Sequence, residues 1–344
     1  MNDGEIITVQ QPNCFLCGAV GEVVYNRLFD RVFGSQGEWN FKKCTNQICG
    51  MYWLDPMPIE DDIFKLYQNY YTHQQKVNIP DNMLRWLYSK ITRGYLANRY
   101  RYDIDGVTLL DRMLGLLVYL HPGRMTDINF KVFFLNANHG GKLLEVGCGN
   151  GFMLKRLANL GWTVEGVDFD INAVRTARTM DLNVHLGDLS EQYYPDSTFD
   201  AIVMSHVIEH VYDPLALLVE CQRILKPGGR LINITPNIDS WGHRMFREYW
   251  RGLEPPRHLH IFNISSLQIL AKKAGFSRIN CRSIARARGV LLASKSLRNT
   301  GKIKDTGRYP FKDRLWAELF ELIEWTLLIF NKNYGEEVVL CAIK

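Results

Sequence analysis

The chain has 344 residues, 47% hydrophobic and 22% charged. This is a globular balance that excludes wholesale disorder, and the length suits about two domains. Lys and Arg total 41 against 36 Asp and Glu, and the resulting +5 excludes the strong basic excess of a dedicated nucleic-acid binder.

Eight cysteines are too sparse for a disulfide scaffold, and Met1–Gln11 is polar rather than a secretory leader. No run reaches the ~18 apolar residues of a membrane span. The expectation is a cytoplasmic protein with reduced thiols. In chain order, residues 1–58 come first. Cys14-x2-Cys17, 26 residues, then Cys44-x4-Cys49-Gly50 has the form of a closed four-cysteine site for structural Zn2+. Such a site would stabilise a small, zinc-ribbon-like β module with little core of its own.

Residues 59–138 read as a helical linker or lid. Ile63, Phe64, Leu66, Tyr67, Tyr70 and Tyr71 recur at helical spacing, and Met83–Tyr102 and Val107–Leu120 follow. From 139 onward, short apolar strands alternate with amphipathic helices, the pattern of a mostly parallel sheet. Candidate strands are Lys142–Val146, Thr163–Val167, Asn183–Leu186, Ala201–Met204, Arg230–Thr235, Arg278–Ser283 and Glu336–Ile343. Asp213-Pro214 offers an N-cap and a first-turn proline to one helix, and Ser265 or Ser266 opens another that ends at Gly275.

The first of these strands runs into Gly147-Cys148-Gly149-Asn150-Gly151 and then a helix from Phe152. Glycines there let the chain turn sharply and a ligand approach the backbone, and helix amides face that ligand. The dinucleotide spacing G-x-G-x-x-G is not kept, because Phe152 stands where its third glycine would be. Asp168 ends the second strand and can accept both hydrogen bonds of a ribose diol. Gly187-Asp188-Leu189 follows the third.

With FDAIVMSHVIEH at 199–210 and ILKPGGRLINITPN at 224–237, the order of motifs resembles the class I S-adenosylmethionine-dependent methyltransferases. The resemblance covers about 139–284 plus the last strand. It implies a Rossmann-like, seven-stranded, mostly parallel α/β sheet with helices on both faces, over 139–344. It also implies that Gly147, Gly149 and Gly151 line the methionine part of S-adenosylmethionine, with Glu145 supporting the loop near its amino group. Asp168 would hold the ribose hydroxyls, and Asp188 the adenine amine beside the Leu189 amide.

His206, Glu209 and His210 follow the fourth strand, and His258 and His260 the fifth; ligands in such folds sit beyond the carboxyl ends of strands. Three readings stay open. His210, or else His258, is a general base for a hydroxyl acceptor. Alternatively His206, Glu209 and His210, with His258 or His260, hold a second divalent metal, similar to the E-x-x-E-H arrangement of metal-assisted O-methyltransferases of quinone biosynthesis, with His206 in place of Glu. In the third, Glu209 and His210 are structural.

Trp241–Arg251 interleaves aromatics with three arginines, which suits either a stacking lid or a buried helix. Residues 282–314 carry +8, leaving the rest of the chain at −3. That concentration points to a local anionic partner more than to nucleic acid. Leu315–Phe330 is apolar apart from Glu318, Glu321 and Glu324, and its apolar face is expected to pack into the core within an insertion over 285–335; the other readings are a subunit contact or peripheral contact at the inner membrane surface.

The Cys module with its Tyr-Tyr segment resembles the zinc-binding domain that precedes some bacterial sugar methyltransferases. The expected activity is O-methylation of a carbohydrate-type acceptor: a nucleotide sugar, a surface polysaccharide or a lipid-linked glycan. The alternatives are methylation of a quinone or small aromatic hydroxyl, and a nucleic-acid-binding role for the ribbon and the basic segment.

Overall fold

The computed structural model describes residues 6–67, 83–303 and 309–344. Tyr70, Tyr71, Lys304 and Arg308 lie outside the described residues. The strands in chain order are β1 (Thr8–Val9), β2 (Gly21–Leu28), β3 (Trp39–Cys44), β4 (Tyr52–Leu54), β5 (Met57–Pro58), β6 (Lys142–Val146), β7 (Thr163–Asp168), β8 (Asn183–Leu186), β9 (Phe199–Ser205), β10 (Leu225–Pro236), β11 (His260–Ile261), β12 (Arg278–Ile284) and β13 (Glu337–Ile343).

A seven-stranded sheet runs β12-β13-β10-β9-β6-β7-β8. The neighbours β9-β6-β7-β8 pair in parallel, and β12 pairs antiparallel with β13. Strands covered on both faces are near-continuous apolar runs, and Leu143, Leu144, Ile202 and Val203 are fully buried. This is the mostly parallel sheet that the alternation predicts, with the Rossmann-like form that the resemblance implies.

The chain divides into two compact units: residues 1–70, 205–222 and 233–344 in one, 71–204 and 223–232 in the other. In the first, β11-β4-β3-β2 form an antiparallel sheet in which His260 faces Trp53 and Ile261 faces Tyr52. The Cys-bearing strands thus gain an outer strand from much later in the chain. Trp39, Phe41 and Leu54 share one core with Phe246, Trp250, Leu259 and Phe320. Phe246 and Trp250 are 2% exposed, so Trp241–Arg251 packs as core and the stacking-lid reading gives way. The helix expected from Ser265 or Ser266 starts earlier, at Ile264, because the Asn263 side chain caps it by accepting from the Ser266 amide at 2.8 Å.

The helix Phe311–Phe330 overturns the expected core packing of its apolar face. Glu321 and Glu324 are buried on its inward side with Ala317 and Phe320, whereas Phe311, Leu315, Leu319, Leu322 and Ile323 are exposed. Three contacts fix this rotation. Arg288 meets Glu321 at 3.1 Å, and Trp316 and Phe320 stack against Phe246 and Trp241. Among the described residues no helix is long and apolar enough to cross a membrane.

In the second unit, the helix Met83–Arg99 crosses the helix Leu109–Gly115 with Gly94 and Gly115 at the contact. A Cβ on Gly94 would overlap the Asp111 carbonyl, and one on Gly115 the Tyr95 amide. Buried Asp111 accepts from Lys90 at 3.1 Å across the pair.

Candidate functional site

In the second unit, β6 and β7 end side by side, with Glu145 opposite Gly166 and Val146 opposite Val167. The loop after β6 turns through Gly147, Gly149 and Gly151, all at positive φ. A Cβ on Gly151 would strike Leu182 at 2.6 Å and Ala177 at 2.9 Å, so this glycine serves helix packing. Gly149 instead faces open space, with nothing within 4 Å of where its Cβ would be.

Asp168 is oriented by two amides, Gly149 N–H donating to Oδ2 at 2.7 Å and Asp170 N–H to Oδ1 at 2.9 Å. Each of its oxygens keeps a lone pair, enough for a diol. Glu145 is buried, and its Oε2 has no hydrogen-bond partner. Burial first, then the Asp168 charge, pushes its carboxyl up to about 8. A buried carboxyl with no cation partner among the described residues is a site for an incoming ammonium. These residues therefore fit the amino acid and ribose parts of S-adenosylmethionine. Asp188 is exposed ahead of the turn Leu189–Gln192, whose Leu189 is buried.

The histidine cluster is built wholly within the first unit. His206 takes a left-handed backbone, φ +55°, and its amide donates to Ile234 O at 2.8 Å. That turn aims its ring between two buried acids, Nδ1 at 3.3 Å from Glu209 and Nε2 at 3.0 Å from Glu337. Burial works against the charged ring, but Glu209 and Glu337 outweigh it and raise His206 to about 10. The ring edge is 38% exposed, so solvent screens part of this effect. An imidazolium so placed neither accepts a proton nor binds a metal. His206 compensates Glu209 rather than joining the donors with which the sequence grouped it.

The donors that do converge are Glu209, His210 and His258, one ligand atom from each lying within 4.8 Å of the others. Glu209 is fully buried and accepts from Thr235 Oγ1 at 2.9 Å, while its Oε1 is the atom that faces His206 Nδ1 at 3.3 Å. Desolvation opposes its charge; His206, His210 and His258 overcome that and lower it to about 2. His210 Nδ1 lies 3.0 Å from Arg257 O and 3.0 Å from Tyr67 Oη. His258 Nδ1 lies 2.7 Å from Gly252 O. Carbonyl oxygens only accept, so both rings are assigned Nδ1–H and present Nε2 as the basic atom. Burial and the neighbouring His210 lower His258 to about 4. The rings meet edge to face with centroids 4.6 Å apart. His260 turns away, its Nε2 3.4 Å from Tyr212 O and its ring against Phe15.

A buried ion network holds this loop. The Arg257 side chain is fully buried and donates from Nη1 and Nη2 to Asp30 at 2.9 Å, and from Nε to Glu254 at 2.9 Å. Asp30 is held in turn by the amides of Val32, Phe33 and Ser35. The sequence reading missed Asp30, Arg257 and Tyr67 as parts of the site. The Asp-x-Val-Phe-x-Ser turn was the available signal for Asp30, and none marked its partner.

Residues 125–280 match the family described as "Methyltransferase domain". With the glycine cradle and the Glu145 and Asp168 carboxylates in place, that match decides the identity. Residues 125–280 form a class I S-adenosylmethionine-dependent methyltransferase domain.

The chain is 31% identical over 169 residues to a probable S-adenosylmethionine-dependent methyltransferase of Mycolicibacterium smegmatis, covering 48% of this chain and 62% of that protein. It is 36% identical over 149 residues to a ubiquinone biosynthesis O-methyltransferase of Xanthomonas oryzae, covering 41% of this chain and 58% of that protein. The chain thus spans about 60% of the length of these curated relatives. A solved S-adenosylmethionine-dependent methyltransferase of Archaeoglobus fulgidus aligns with 68% of this chain and 99% of its own at 19% identity, TM-score 0.45.

Ahead of the methyltransferase domain, Cys14, Cys17, Cys44 and Cys49 gather with their sulfurs within 4.8 Å of one another. Cys14 and Cys49 lie 3.8 Å apart, Cys17 and Cys44 3.3 Å. The edge of a tetrahedron with Zn–S bonds of about 2.3 Å is about 3.8 Å. Each pair closes on a glycine at positive φ, Gly18 donating to Cys14 O and Gly50 to Asn46 O. Four thiols at this spacing suit Zn2+.

Proposed function

We propose that this chain transfers a methyl group from S-adenosylmethionine to a hydroxyl oxygen of a small acceptor. The observation that carries the reading is the convergence of Glu209, His210 and His258, with both imidazoles presenting Nε2. S-adenosylmethionine supplies a sulfonium methyl whose in-line displacement releases a neutral thioether. Glu145 and Asp168 hold its charged and diol parts. His210 Nε2 takes the acceptor's hydroxyl proton as the oxygen attacks, so the O–C bond forms as the S–C bond breaks. Glu209 stabilises the imidazolium that results. Arg257 and Tyr67 fix the His210 tautomer from the Nδ1 side. Cys14, Cys17, Cys44 and Cys49 hold a structural Zn2+ in this reading, in a cytoplasmic setting where thiols stay reduced.

The acceptor in this reading is of carbohydrate type, a nucleotide sugar or a glycan. Its support is the sequence resemblance of the Cys module, together with Tyr67, which follows that module and lies against His210. A second reading, methylation of a quinol or other aromatic hydroxyl with a divalent metal, is favoured by the names of the Xanthomonas relatives and by the donor set of Glu209, His210 and His258. Assays against nucleotide sugars and against catechols, with and without chelator, test both. Turnover of a nucleotide sugar unaffected by chelation supports the first. Catechol turnover abolished by chelator while the Cys-bound zinc remains, as read by elemental analysis, supports the second. Absence of S-adenosylmethionine binding by calorimetry would overturn both.

A further inference from the structure

We infer that the helix Phe311–Phe330 docks this protein in the plane of an anionic lipid bilayer. Its outward residues follow helical spacing. Leu315, Leu319, Leu322, Ile323, Ile329 and Phe330 are between 46% and 82% exposed, and Phe311 extends the row. Interrupted by exposed Thr326, this apolar stripe runs the length of the 20-residue helix, or about 30 Å at 1.5 Å per residue. A monomer rarely leaves such a stripe to water.

Charge identifies the occupant. Three of the four acids of this helix are turned away from the stripe, and the fourth, Glu318, flanks it. Glu321 and Glu324 are buried on the opposite side, Asp313 pairs with Lys295 at 2.9 Å, and exposed Glu318 is answered by Arg288 at 3.5 Å. Exposed cations lie at the ends of the stripe instead: Lys312 and Arg314 at its start and Lys332 just past its end. An apolar band framed by Lys and Arg matches the acyl boundary of a bilayer with anionic headgroups above it. A second copy of the chain is a poorer fit. A two-fold contact that pairs the helices antiparallel sets Lys312 and Arg314 of one beside Lys332 of the other, like charge against like.

The test is co-sedimentation of the full chain with vesicles of phosphatidylcholine mixed with phosphatidylglycerol, and with vesicles of phosphatidylcholine alone. The expected result is binding to the anionic vesicles, about tenfold or more weaker to the neutral ones. The exposed-site variant Leu319→Ser/Leu322→Ser/Ile323→Ser loses about a hundredfold in partitioning. Lys312→Ala/Arg314→Ala reduces anionic binding about tenfold while leaving binding to neutral vesicles unchanged. This second variant decides the matter should the first shift the melting transition. Equal binding of wild type and both variants, as docking through the exposed helix Leu109–Gly115 of the other unit would give, overturns the inference. So does a dimer in solution that the triple variant dissociates while the wild type ignores vesicles. Neither readout depends on methyl transfer, so failure here leaves the proposed activity standing.

Discussion

Glu145 and Glu209 are both buried glutamates at the ends of sheet strands or just beyond them, yet their environments drive them in opposite directions. Glu145 sits beside another carboxylate with one oxygen unpartnered, and its carboxyl rises to about 8. Glu209 is buried at least as deeply, but three imidazoles and a threonine hydroxyl surround it, and it falls to about 2. Burial alone does not set a titration; the neighbouring charge does. The uncompensated acid is the one built to receive a cation from outside, whereas the compensated acid is already part of a finished network.

The comparison breaks most sharply where the compensation is removed. Arg257→Met leaves buried Asp30 with backbone amides but no cation, and Glu254 with Arg251 as its remaining arginine partner, and is expected to cost about 3–5 kcal/mol of stability by urea denaturation. A loss under about 1 kcal/mol would show the network to be solvated. His210→Ala is expected to lower kcat by about 10²–10⁴-fold with the fold intact by circular dichroism. If neither it nor His258→Ala slows turnover, the histidine-base mechanism fails.

His243 sharpens the contrast as a buried base without an acid beside it. Its Nε2 meets Tyr25 Oη at 2.7 Å and its Nδ1 meets Ile238 O at 2.6 Å. Burial lowers it from 6.5 to about 4 despite the carbonyl bond. The unfolded chain then binds the extra proton between those values. Stability is full above about pH 6.5 and falls as pH drops toward 4, by up to about 3 kcal/mol. Denaturation midpoints at several pH values, with His243→Gln as the control that flattens this window, measure it.

The smallest effect belongs to Glu145. A cofactor ammonium favours its ionised form, so binding releases a proton and affinity for S-adenosylmethionine rises with pH toward about 8. Glu145→Gln is expected to weaken binding about tenfold and to flatten that slope. Calorimetry in buffers of different ionisation enthalpy reads the proton directly.

How far each region was legible in the sequence follows from how it is built. The strands Lys142–Val146 and Asn183–Leu186 are found to the residue, the first because Leu143, Leu144 and Val146 are buried inside the sheet, the second, an edge strand, because Gly187 ends it. The cofactor loop is local, with its turn and acids carried on consecutive strand ends. The histidine cluster is not local. His210 is oriented by Tyr67 and by the Arg257 carbonyl, and no periodicity pairs Asp30 with Arg257. The helix Phe311–Phe330 misled for a related reason. Amphipathic pattern gives a helix two faces but does not say which one a neighbour claims, and here Arg288 and the aromatics of Trp241 and Phe246 claim the side that carries the glutamates.

The bond between Arg257 and Asp30 spans 227 residues of chain, and β11, which completes the Cys module's sheet, lies just past Arg257. During synthesis the ribosome delivers the four cysteines and strands β2 to β4 long before either partner emerges. The nascent module is therefore expected to have an open strand edge, and an Asp30 without its cation, until the residues around Arg257 arrive. Its assembly is expected to be late for a segment made before its partners, and a ribosome-stalled chain ending before Arg257 would display that unfinished edge to any protease or chaperone present.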